Sequence, residues 1–350
     1  MIKILFLGET YRADAKSWIK GIESESASRL ETMEIRGSKT RSGRIFNALF
    51  FFFEILKMRF RPGYDLVLAE RATSYGLFSL FVPARLRAVA QQGITDAYPE
   101  AGFSGFYKRI IQRWVYKRVD VIHAWGHVMT YAMLNSGAAP HKILVLPKGI
   151  DLDLYRYSSS RTSSDSAYTL IVTRSLYELY KHEDILRAIS LLARQGLKIK
   201  GVLVGEGPEK PNLITLCKEL EIEDQVTFTG VVANERLPQL LNEAALYVAY
   251  PTTEGVSSSL FEAMAMGCFP IVSDLPANQA FLSQRKNGIL VPIGDVAQLA
   301  EAIRFAVENP ELVKRAILIN KEYIALHVDF AKNMKIIYKR YLDLLDKKSA

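Results

Sequence analysis

The chain has 350 residues, of which 49% are hydrophobic and 23% are charged. This composition excludes an intrinsically disordered chain, and the length is sufficient for two domains that each bury their own core. The formal net charge is +8 at pH 7; residues 1–165 carry 24 Lys and Arg against 15 Asp and Glu, and residues 166–350 carry 21 against 22. The positive charge therefore belongs to the first half.

A basic half beside a neutral half indicates an anionic partner of the first half, such as a phospholipid surface, a lipid diphosphate or nucleic acid; the alternative is a basic domain without an anionic ligand. The two cysteines, Cys217 and Cys268, fit a reducing compartment. Residues 1–9 reach a glutamate too early for a signal peptide, and the apolar run Ala48–Phe53 is too short to span a bilayer. We expect a cytoplasmic protein, attached at most peripherally to the cytoplasmic face of the membrane.

Short apolar segments alternate with amphipathic segments along the whole chain. This alternation predicts an α/β fold with parallel sheets, in which ligands lie at the carboxyl ends of the strands. No GxGxxG motif follows the first strand, so a dinucleotide site of the NAD type is not expected. In the first half, strands are predicted over residues 2–7, 65–69, 87–91, 120–124 and 142–146.

A basic and aromatic stretch, Arg36–Arg61, lies between the first two of these strands. Its apolar block Ala48–Leu56 contains one acidic residue, Glu54, and is flanked by arginines and lysines. The stretch either lies at a membrane surface, with arginines on lipid phosphates, or forms an ordinary core-facing helix of an α/β domain. The helix predicted over 105–119 also combines basic and aromatic residues and suits lipid or nucleic acid alike.

The second half repeats the alternation after a serine-rich linker at 147–166. Strands are predicted over 168–173, 198–204, 225–229, 246–250 and 269–272. Amphipathic helices are predicted over 295–308 and 329–348. Each of the first four strands is followed by a candidate residue, and the four are expected to converge on one sheet edge: Arg174, Gly205, Val231 and Glu254.

The stretch 246–274 joins a strand to a helix through a serine-rich turn and reads LYVAYPTTEGVSSSLFEAMAMGCFPIVSD. Its segment Gly255–Leu260 offers hydroxyls and free backbone N–H groups at the start of the helix, which predicts a phosphate-binding turn. Glu254 and Glu262 border this turn. Because an ionised glutamate only accepts hydrogen bonds, both suit the hydroxyls of a sugar and a ribose rather than the phosphate. The alternative is a solvated loop glutamate and a helical glutamate paired with a basic residue.

The spacing Glu254-x7-Glu262 in this stretch resembles the signature of the retaining nucleotide-sugar glycosyltransferases of the GT-B fold, glycosyltransferase family four (glycosyl transferases group 1). The likeness covers roughly residues 115–310, whereas the first hundred residues match in general pattern only. Further segments resemble the family in content and order: PKGIDLDLY at 147–155, TRSL at 173–176, VGEGP at 204–208, VTFTGVV at 226–232 and NGILVPIGD at 287–295.

This resemblance implies two Rossmann-like domains that face each other across a cleft. Residues 1–150 would bind the acceptor, residues 151–328 the nucleotide-sugar donor, and a last helix at 329–350 would return to the first domain. The implied reaction moves a hexose, with retention, to a hydroxyl of a glycan or lipid-linked glycan in cell-surface polysaccharide or lipopolysaccharide synthesis. Because the implied site neutralises the leaving diphosphate with basic side chains and backbone donors, we expect no metal and no other cofactor.

The resemblance also assigns roles in the donor site. Glu254 would hold the transferred sugar and Glu262 the ribose diol, with the backbone of Val231 beside the base. Gly205 either lies close to the ligand or is a packing glycine. The family's second basic residue stands five positions after the arginine, where this chain has Leu179. The nearest lysine is Lys181, so the loop is two residues longer or the contact differs. The diphosphate would be bound by Arg174, Lys181 and the backbone of Gly255, Val256, Ser257 and Ser258.

Two candidates lie in the first half. Family members often place a polar motif after the strand at 87–91, and this chain has Gln92–Asp96 there without the common histidine. Asp96 is expected to contact or deprotonate the acceptor hydroxyl, an ordinary cap or turn role being the alternative. In the family that the chain resembles, the turn after the first strand faces the donor diphosphate, and this resemblance implies a place near the diphosphate for Gly8.

Other functions remain open at this point. A non-catalytic sugar-nucleotide-binding subunit would keep the whole donor site, and a sugar-nucleotide epimerase of the same fold would convert its nucleotide sugar without an acceptor. A nucleic-acid-binding protein would explain the basic half, and salt-dependent binding of DNA or RNA would favour it. A nucleic-acid-binding function does not explain why the second half places two glutamates beside a predicted phosphate-binding turn.

Overall fold

The computed structural model describes residues 2–38, 40–91, 93–98, 102–157 and 169–349. The strands are β1 (Ile4–Leu7), β2 (Glu31–Met33), β3 (Tyr64–Glu70), β4 (Ala84–Gln91), β5 (Val121–Ala124), β6 (Ile143–Val145), β7 (Thr169–Thr173), β8 (Lys200–Val204), β9 (Val226–Gly230), β10 (Leu246–Ala249), β11 (Phe269–Ser273) and β12 (Ile289–Val291). The helices are α1 (Ala13–Ser26), α2 (Arg41–Lys57), α3 (Leu77–Ser79), α4 (Ile94–Ala97), α5 (Phe103–Arg118), α6 (Thr130–Asn135), α7 (His182–Arg194), α8 (Lys210–Glu219), α9 (Leu237–Glu243), α10 (Ser258–Ala265), α11 (Pro276–Gln279), α12 (Val296–Glu308), α13 (Pro310–His327) and α14 (Phe330–Lys347).

The chain divides into two compact units. Unit 1 consists of Met1–Lys148 together with Phe330–Ala350, and unit 2 of Gly149–Asp329. Each unit holds a six-stranded sheet whose strands pair in parallel, with helices in the connections. This architecture confirms the predicted α/β class with two Rossmann-like domains.

In unit 1 the strand order is β2-β1-β3-β4-β5-β6. The last helix of the chain, α14, belongs to this unit and packs on α1 and β4. Trp18 of α1 and Met334, Ile337 and Tyr341 of α14 are buried in one apolar cluster. The two helices approach closely at Gly21, where an added Cβ would lie 2.6 Å from the Met334 Cγ atom. The buried face of α14 is therefore part of the core of unit 1.

In unit 2 the strand order is β12-β11-β10-β7-β8-β9. From β7 the chain proceeds outward through β8 and β9, and from β10 it proceeds outward in the opposite direction through β11 and β12. Leu246 of β10 pairs with Leu170 of β7, so the two strands at which the direction reverses are neighbours. In open parallel sheets, the loops that follow two such strands separate and leave a crevice for a ligand. Both candidate residues Arg174 and Glu254 lie in these loops.

Several elements were not predicted individually from the sequence, and β2 and α13 are two of them. Strand β2 is largely exposed and contains Glu31 and Thr32, so it lacks an apolar run. Helix α13 runs from Pro310 to His327 and fills the region between the two amphipathic helices that the periodicity predicted.

Candidate functional site

The centre of the site in unit 2 is the guanidinium of Arg174, which directly follows β7. Its Nη2 atom donates to the Oε2 atom of Glu254 and to the Oγ atom of Ser257. The Arg174 and Glu254 side chains are largely buried, with 15% and 12% of their surface exposed. Arg174 and Glu254, which the sequence predicted at one sheet edge, are thus in direct contact, because their strands β7 and β10 are neighbours.

Two tyrosines complete the surroundings of Arg174. The Cζ atom of Arg174 lies 5.3 Å from the centre of the Tyr180 ring, which is cation–π distance. The Tyr247 hydroxyl lies 2.9 Å from the Ser259 Oγ atom. Burial by itself lowers the pKa of Arg174, but the Tyr247 hydroxyl and the Glu254 carboxylate more than offset that effect, so the pKa is raised. Arg174 is therefore a fixed positive charge.

The turn before α10 has the features of an anion-binding helix terminus. The Ser257 Oγ atom accepts from the Leu260 N–H at 3.1 Å and caps the helix. The Gly255 N–H donates to the Glu254 Oε1 atom at 3.1 Å. Gly255 and Ser257 are buried, whereas Ser258, the first residue of the helix, is exposed. The positive end of the helix dipole and the Arg174 guanidinium therefore meet at the same turn.

Glu262 lies in a second group of contacts, on α10. The buried Tyr155 side chain forms a hydrogen bond with the Glu262 carboxylate, and burial together with this carboxylate raises the pKa of Tyr155. The Tyr155 hydroxyl also lies 3.0 Å from the Oδ1 atom of Asn234, which follows β9. The two glutamates of the motif are thus in different environments: Glu254 pairs with Arg174, and Glu262 with a tyrosine hydroxyl.

Lys181 lies at the start of α7 in a left-handed conformation, with φ at 49°. Its Nζ atom lies 3.2 Å from the Glu183 Oε1 atom, and this hydrogen bond raises the pKa of the lysine. The preceding turn is fixed to the loop of Glu254, since the Thr252 N–H donates to the Leu179 carbonyl at 2.9 Å. Within the described part of unit 2, Lys181 belongs to this turn and not to the Arg174–Glu254–Ser257 contacts.

Gly205 has a packing reason to be glycine. Its φ is +143°, and an added Cβ would lie 2.5 Å from the carbonyl oxygen of Arg174. Its N–H donates to the Gly230 carbonyl at 2.9 Å, at the end of β9. The next residue along that loop, Val231, is 79% exposed at the sheet edge. Gly205 therefore supports the backbone that carries Arg174, and Val231 offers an apolar surface to solvent.

The two candidates of the first half lie in unit 1. Gly8 follows β1, and an added Cβ would lie 2.7 Å from an oxygen of the buried Glu70 carboxylate. That carboxylate accepts from the Glu9 N–H at 2.9 Å. The backbone of Asp96 lies in α4, whereas its side chain lies outside the described residues, as does Gln92.

The sequence assigned no role to four residues next to the site. Tyr155 lies in the segment PKGIDLDLY that carried the resemblance, and its contacts with Glu262 and Asn234 depend on the tertiary fold. Tyr180 and Asn234 are in turns whose positions depend on the tertiary fold. His182 is also buried beside the Arg174 backbone, and burial lowers the pKa of its ring to about 4.

Neither a metal-binding cluster nor a membrane-spanning helix is found in the part of the chain that the structure describes. There, no three His, Cys, Asp or Glu side chains cluster in a way that could hold a metal ion. No helix in the same ranges is long and apolar enough to cross a bilayer. The expected independence from metals stays a prediction.

Comparisons with known proteins agree with the resemblance. Residues 158–323 match the family model described as glycosyl transferases group 1. The putative colanic acid biosynthesis glycosyltransferase WcaL of Salmonella typhimurium is 25% identical over 66% of this chain and 57% of its own length. The lipopolysaccharide core biosynthesis glycosyltransferase LpsD of Rhizobium meliloti is 31% identical over 41% of this chain and 40% of its own. The chain spans about half the length of the curated relatives that it matches.

Solved structures resemble this chain over nearly its full length. Anabaena Alr3699/HepE, crystallised with UDP and glucose, has a TM-score of 0.77 at 16% identity and covers 98% of this chain and 100% of its own. Sucrose-phosphate synthase from Thermosynechococcus elongatus has a TM-score of 0.82 at 14% identity, over 99% of this chain and 100% of its own. At these identities the likeness concerns the fold.

Proposed function

We propose that this chain, which has the GT-B fold and whose residues 158–323 match the glycosyl transferases group 1, is a retaining glycosyltransferase. It would move a hexose from a nucleoside-diphosphate sugar to a hydroxyl of a glycan or lipid-linked glycan in cell-surface polysaccharide synthesis. The bond between the anomeric carbon and the diphosphate oxygen breaks, and a bond from that carbon to the acceptor oxygen forms.

The observation that carries the proposal is the contact of Arg174 with Glu254 and Ser257 at the start of α10. Negative charge grows on the diphosphate as it leaves, and a fixed guanidinium next to a helix N-terminus stabilises that charge without reorganisation. The backbone N–H groups of 255–258 would add donors, and Lys181 would approach by a change of rotamer. No metal would be required for this charge stabilisation.

The two glutamates would then divide the hydroxyl groups of the donor between them. Glu254, charge-balanced by Arg174, would accept from hydroxyls of the transferred hexose. Glu262 would accept from the ribose diol, with the exposed Val231 beside the base and Gly205 close to the nucleotide. Alr3699/HepE, which shares the fold, is described as a complex with UDP and glucose, and this supports a nucleotide sugar as donor.

The acceptor side of the proposal rests on unit 1. The acceptor hydroxyl must lose its proton, and Asp96 is the candidate to contact or receive it. Gly8 would lie near the donor diphosphate. The partners that we propose are a nucleotide sugar, a glycan or lipid-linked acceptor and, for the basic unit 1, an anionic membrane surface on the cytoplasmic side.

Thermal melting with UDP, GDP, ADP and their hexose conjugates tests the donor site. A ligand that binds only the folded state at about 100 times its Kd stabilises it by about 2.7 kcal/mol, so one nucleotide should raise the melting temperature by several degrees. Arg174→Ala should abolish the shift, whereas Arg315→Ala, an exposed arginine of α13, should leave it unchanged. If no nucleotide raises the melting temperature of the unsubstituted protein, the proposal is wrong.

Product analysis with the identified nucleotide sugar separates transfer from the other functions. Release of the nucleoside diphosphate should depend on an added acceptor, and Arg174→Ala should slow it by about a hundredfold or more. Conversion of the sugar nucleotide without any acceptor would identify an epimerase instead.

A further inference from the structure

We infer that one face of unit 1, formed by α2 and α5, docks on an anionic lipid bilayer. This inference rests on the proposed function in naming a membrane as partner, but docking itself requires neither donor nor transfer. The face is called the α2–α5 surface below, and it is defined by exposed apolar side chains together with the basic side chains around them. The exposed apolar ones are Ile45, Phe46, Leu49, Phe50, Phe53, Phe60, Phe106, Tyr107, Ile110 and Trp114.

Helix α2 is apolar on more of its circumference than the core requires. Phe51 and Ile55 face the interior and are buried. Phe46, Leu49, Phe50 and Phe53 recur at helical spacing on another face and are 48–68% exposed. The core-facing interpretation of the sequence thus applies to one face of the helix. A second apolar stripe faces solvent, as the membrane interpretation requires.

The apolar surface continues from α2 to α5. Phe81 lies between them, with its ring centre 5.1 Å from that of Phe52 and 6.0 Å from that of Trp114. An open apolar groove of about 400 Å³ lies along α2 beside the exposed stripe, and it is lined by Ile45, Ala48, Leu49, Phe52, Leu77, Phe78 and Phe81. Exposed patches of this extent on a single unit mark a docking surface for a protein or a membrane.

The charge around the apolar residues selects the partner. Exposed basic side chains stand at both ends of α2 and along α5: Arg36, Arg41, Arg44, Lys57, Arg59, Arg61, Lys108, Arg109, Arg113, Lys117 and Arg118. The sequence of α5 contains no acidic residue, and the acidic residue of α2, Glu54, lies 2.6 Å from the Lys57 Nζ atom. An anionic bilayer matches this arrangement. Its headgroup phosphates would contact the basic side chains, and its acyl chains would contact the exposed phenylalanines.

A second copy of this chain is a poorer partner for the same surface. Two copies of the α2–α5 surface would place the basic residues of one opposite those of the other, and like charges at such an interface repel. An anionic bilayer instead offers a continuous negative surface and an apolar layer beneath it.

Co-sedimentation with phosphatidylcholine vesicles, with and without phosphatidylglycerol, tests the inference. The unsubstituted protein should bind the anionic vesicles at least about tenfold more strongly than the neutral ones, and salt should weaken binding. Two variants should each lose at least about tenfold in binding: Phe46→Ser with Phe53→Ser, and Arg41→Glu, Arg44→Glu, Arg59→Glu and Arg61→Glu together. The matched control is Leu318→Ser with Leu326→Ser, which removes two similarly exposed leucines of α13 in unit 2 and should bind as the unsubstituted protein does.

The docking inference fails if the unsubstituted protein does not bind anionic vesicles, or if both variants bind as tightly as the control. Concentration-dependent self-association without vesicles, lost in the Phe46 and Phe53 variant, would also overturn it and identify a second copy as the partner. The melting shift with nucleotide is measured on the same samples. If nucleotide raises the melting temperature but the protein does not bind vesicles, docking alone is refuted. If the protein binds vesicles but no nucleotide raises its melting temperature, the donor site alone is refuted.

Discussion

Replacing Gly205 with alanine should disturb the backbone that carries Arg174. The added Cβ would lie 2.5 Å from the Arg174 carbonyl oxygen, and the φ of +143° is a conformation that alanine rarely adopts. The backbone conformation costs about 1–3 kcal/mol, and the displacement of a packed carbonyl costs about 1–3 kcal/mol more. Gly196, whose φ is +82° and whose Cβ position has no atom within 4 Å, is the matched control. Gly196→Ala should cost about 1 kcal/mol for its backbone conformation alone.

The two variants should therefore differ by about 1–5 kcal/mol, and a domain of this size loses about 2–4 °C in melting temperature per kcal/mol. Thermal unfolding of both proteins, followed with and without the nucleotide identified above, measures the difference. Gly205→Ala should also show a smaller nucleotide-induced shift, because the Arg174 carbonyl moves and the guanidinium loses its alignment with Ser257. Equal melting temperatures for the two variants would refute the close contact as the reason for glycine at this position.

Two more predictions concern the surroundings of the site. Tyr155→Phe removes the hydroxyl that contacts Glu262 and Asn234, so the nucleotide should bind about five- to tenfold more weakly. Titration with the ribonucleotide and its 2′-deoxy analogue should also show reduced discrimination between them, and unchanged discrimination would separate Tyr155 from the ribose. The second prediction is pH dependence. The pKa of His182 is lowered from 6.5 to about 4 by burial, so the unfolded chain binds a proton that the folded one does not. Unfolding should become easier by about 1 kcal/mol per unit as the pH falls from 6.5 to 4, and His182→Gln should make that slope shallower. Urea unfolding at several pH values checks this, and equal slopes would exclude His182 as the cause.

The central group of the site could be predicted from the sequence because it depends on topology. Arg174 and Glu254 each follow an apolar strand, and in a parallel sheet the ends of neighbouring strands meet at one edge. The start of α10 at the serine-rich turn followed from the apolar helical pattern behind it, and the structure identifies Ser257 as the residue that caps this helix. Local pattern and strand order were sufficient for these residues.

The remainder of the site depends on contacts that local pattern does not encode. Tyr155 contacts Glu262 and Asn234, which are far from it in the sequence. The residues next to Tyr155 in the chain carry no pattern that predicts this contact. Lys181 was assigned to the site because it is the lysine nearest to the expected position after Arg174. In the structure it adopts a left-handed conformation and contacts Glu183. Side chains in turns follow the tertiary packing, and spacing alone does not give their direction.

The membership of α14 in unit 1 has a consequence for the order in which the protein acquires its structure during synthesis. Residues of unit 1 before Lys148 leave the ribosome first, but the side chains of Met334, Ile337 and Tyr341 that complete their core follow only after all of unit 2. Unit 2 is continuous in sequence and can close its core while translation continues. Until α14 emerges, Trp18 and its apolar neighbours lack their covering helix, so we expect this surface of the nascent chain to stay exposed while unit 2 is being made.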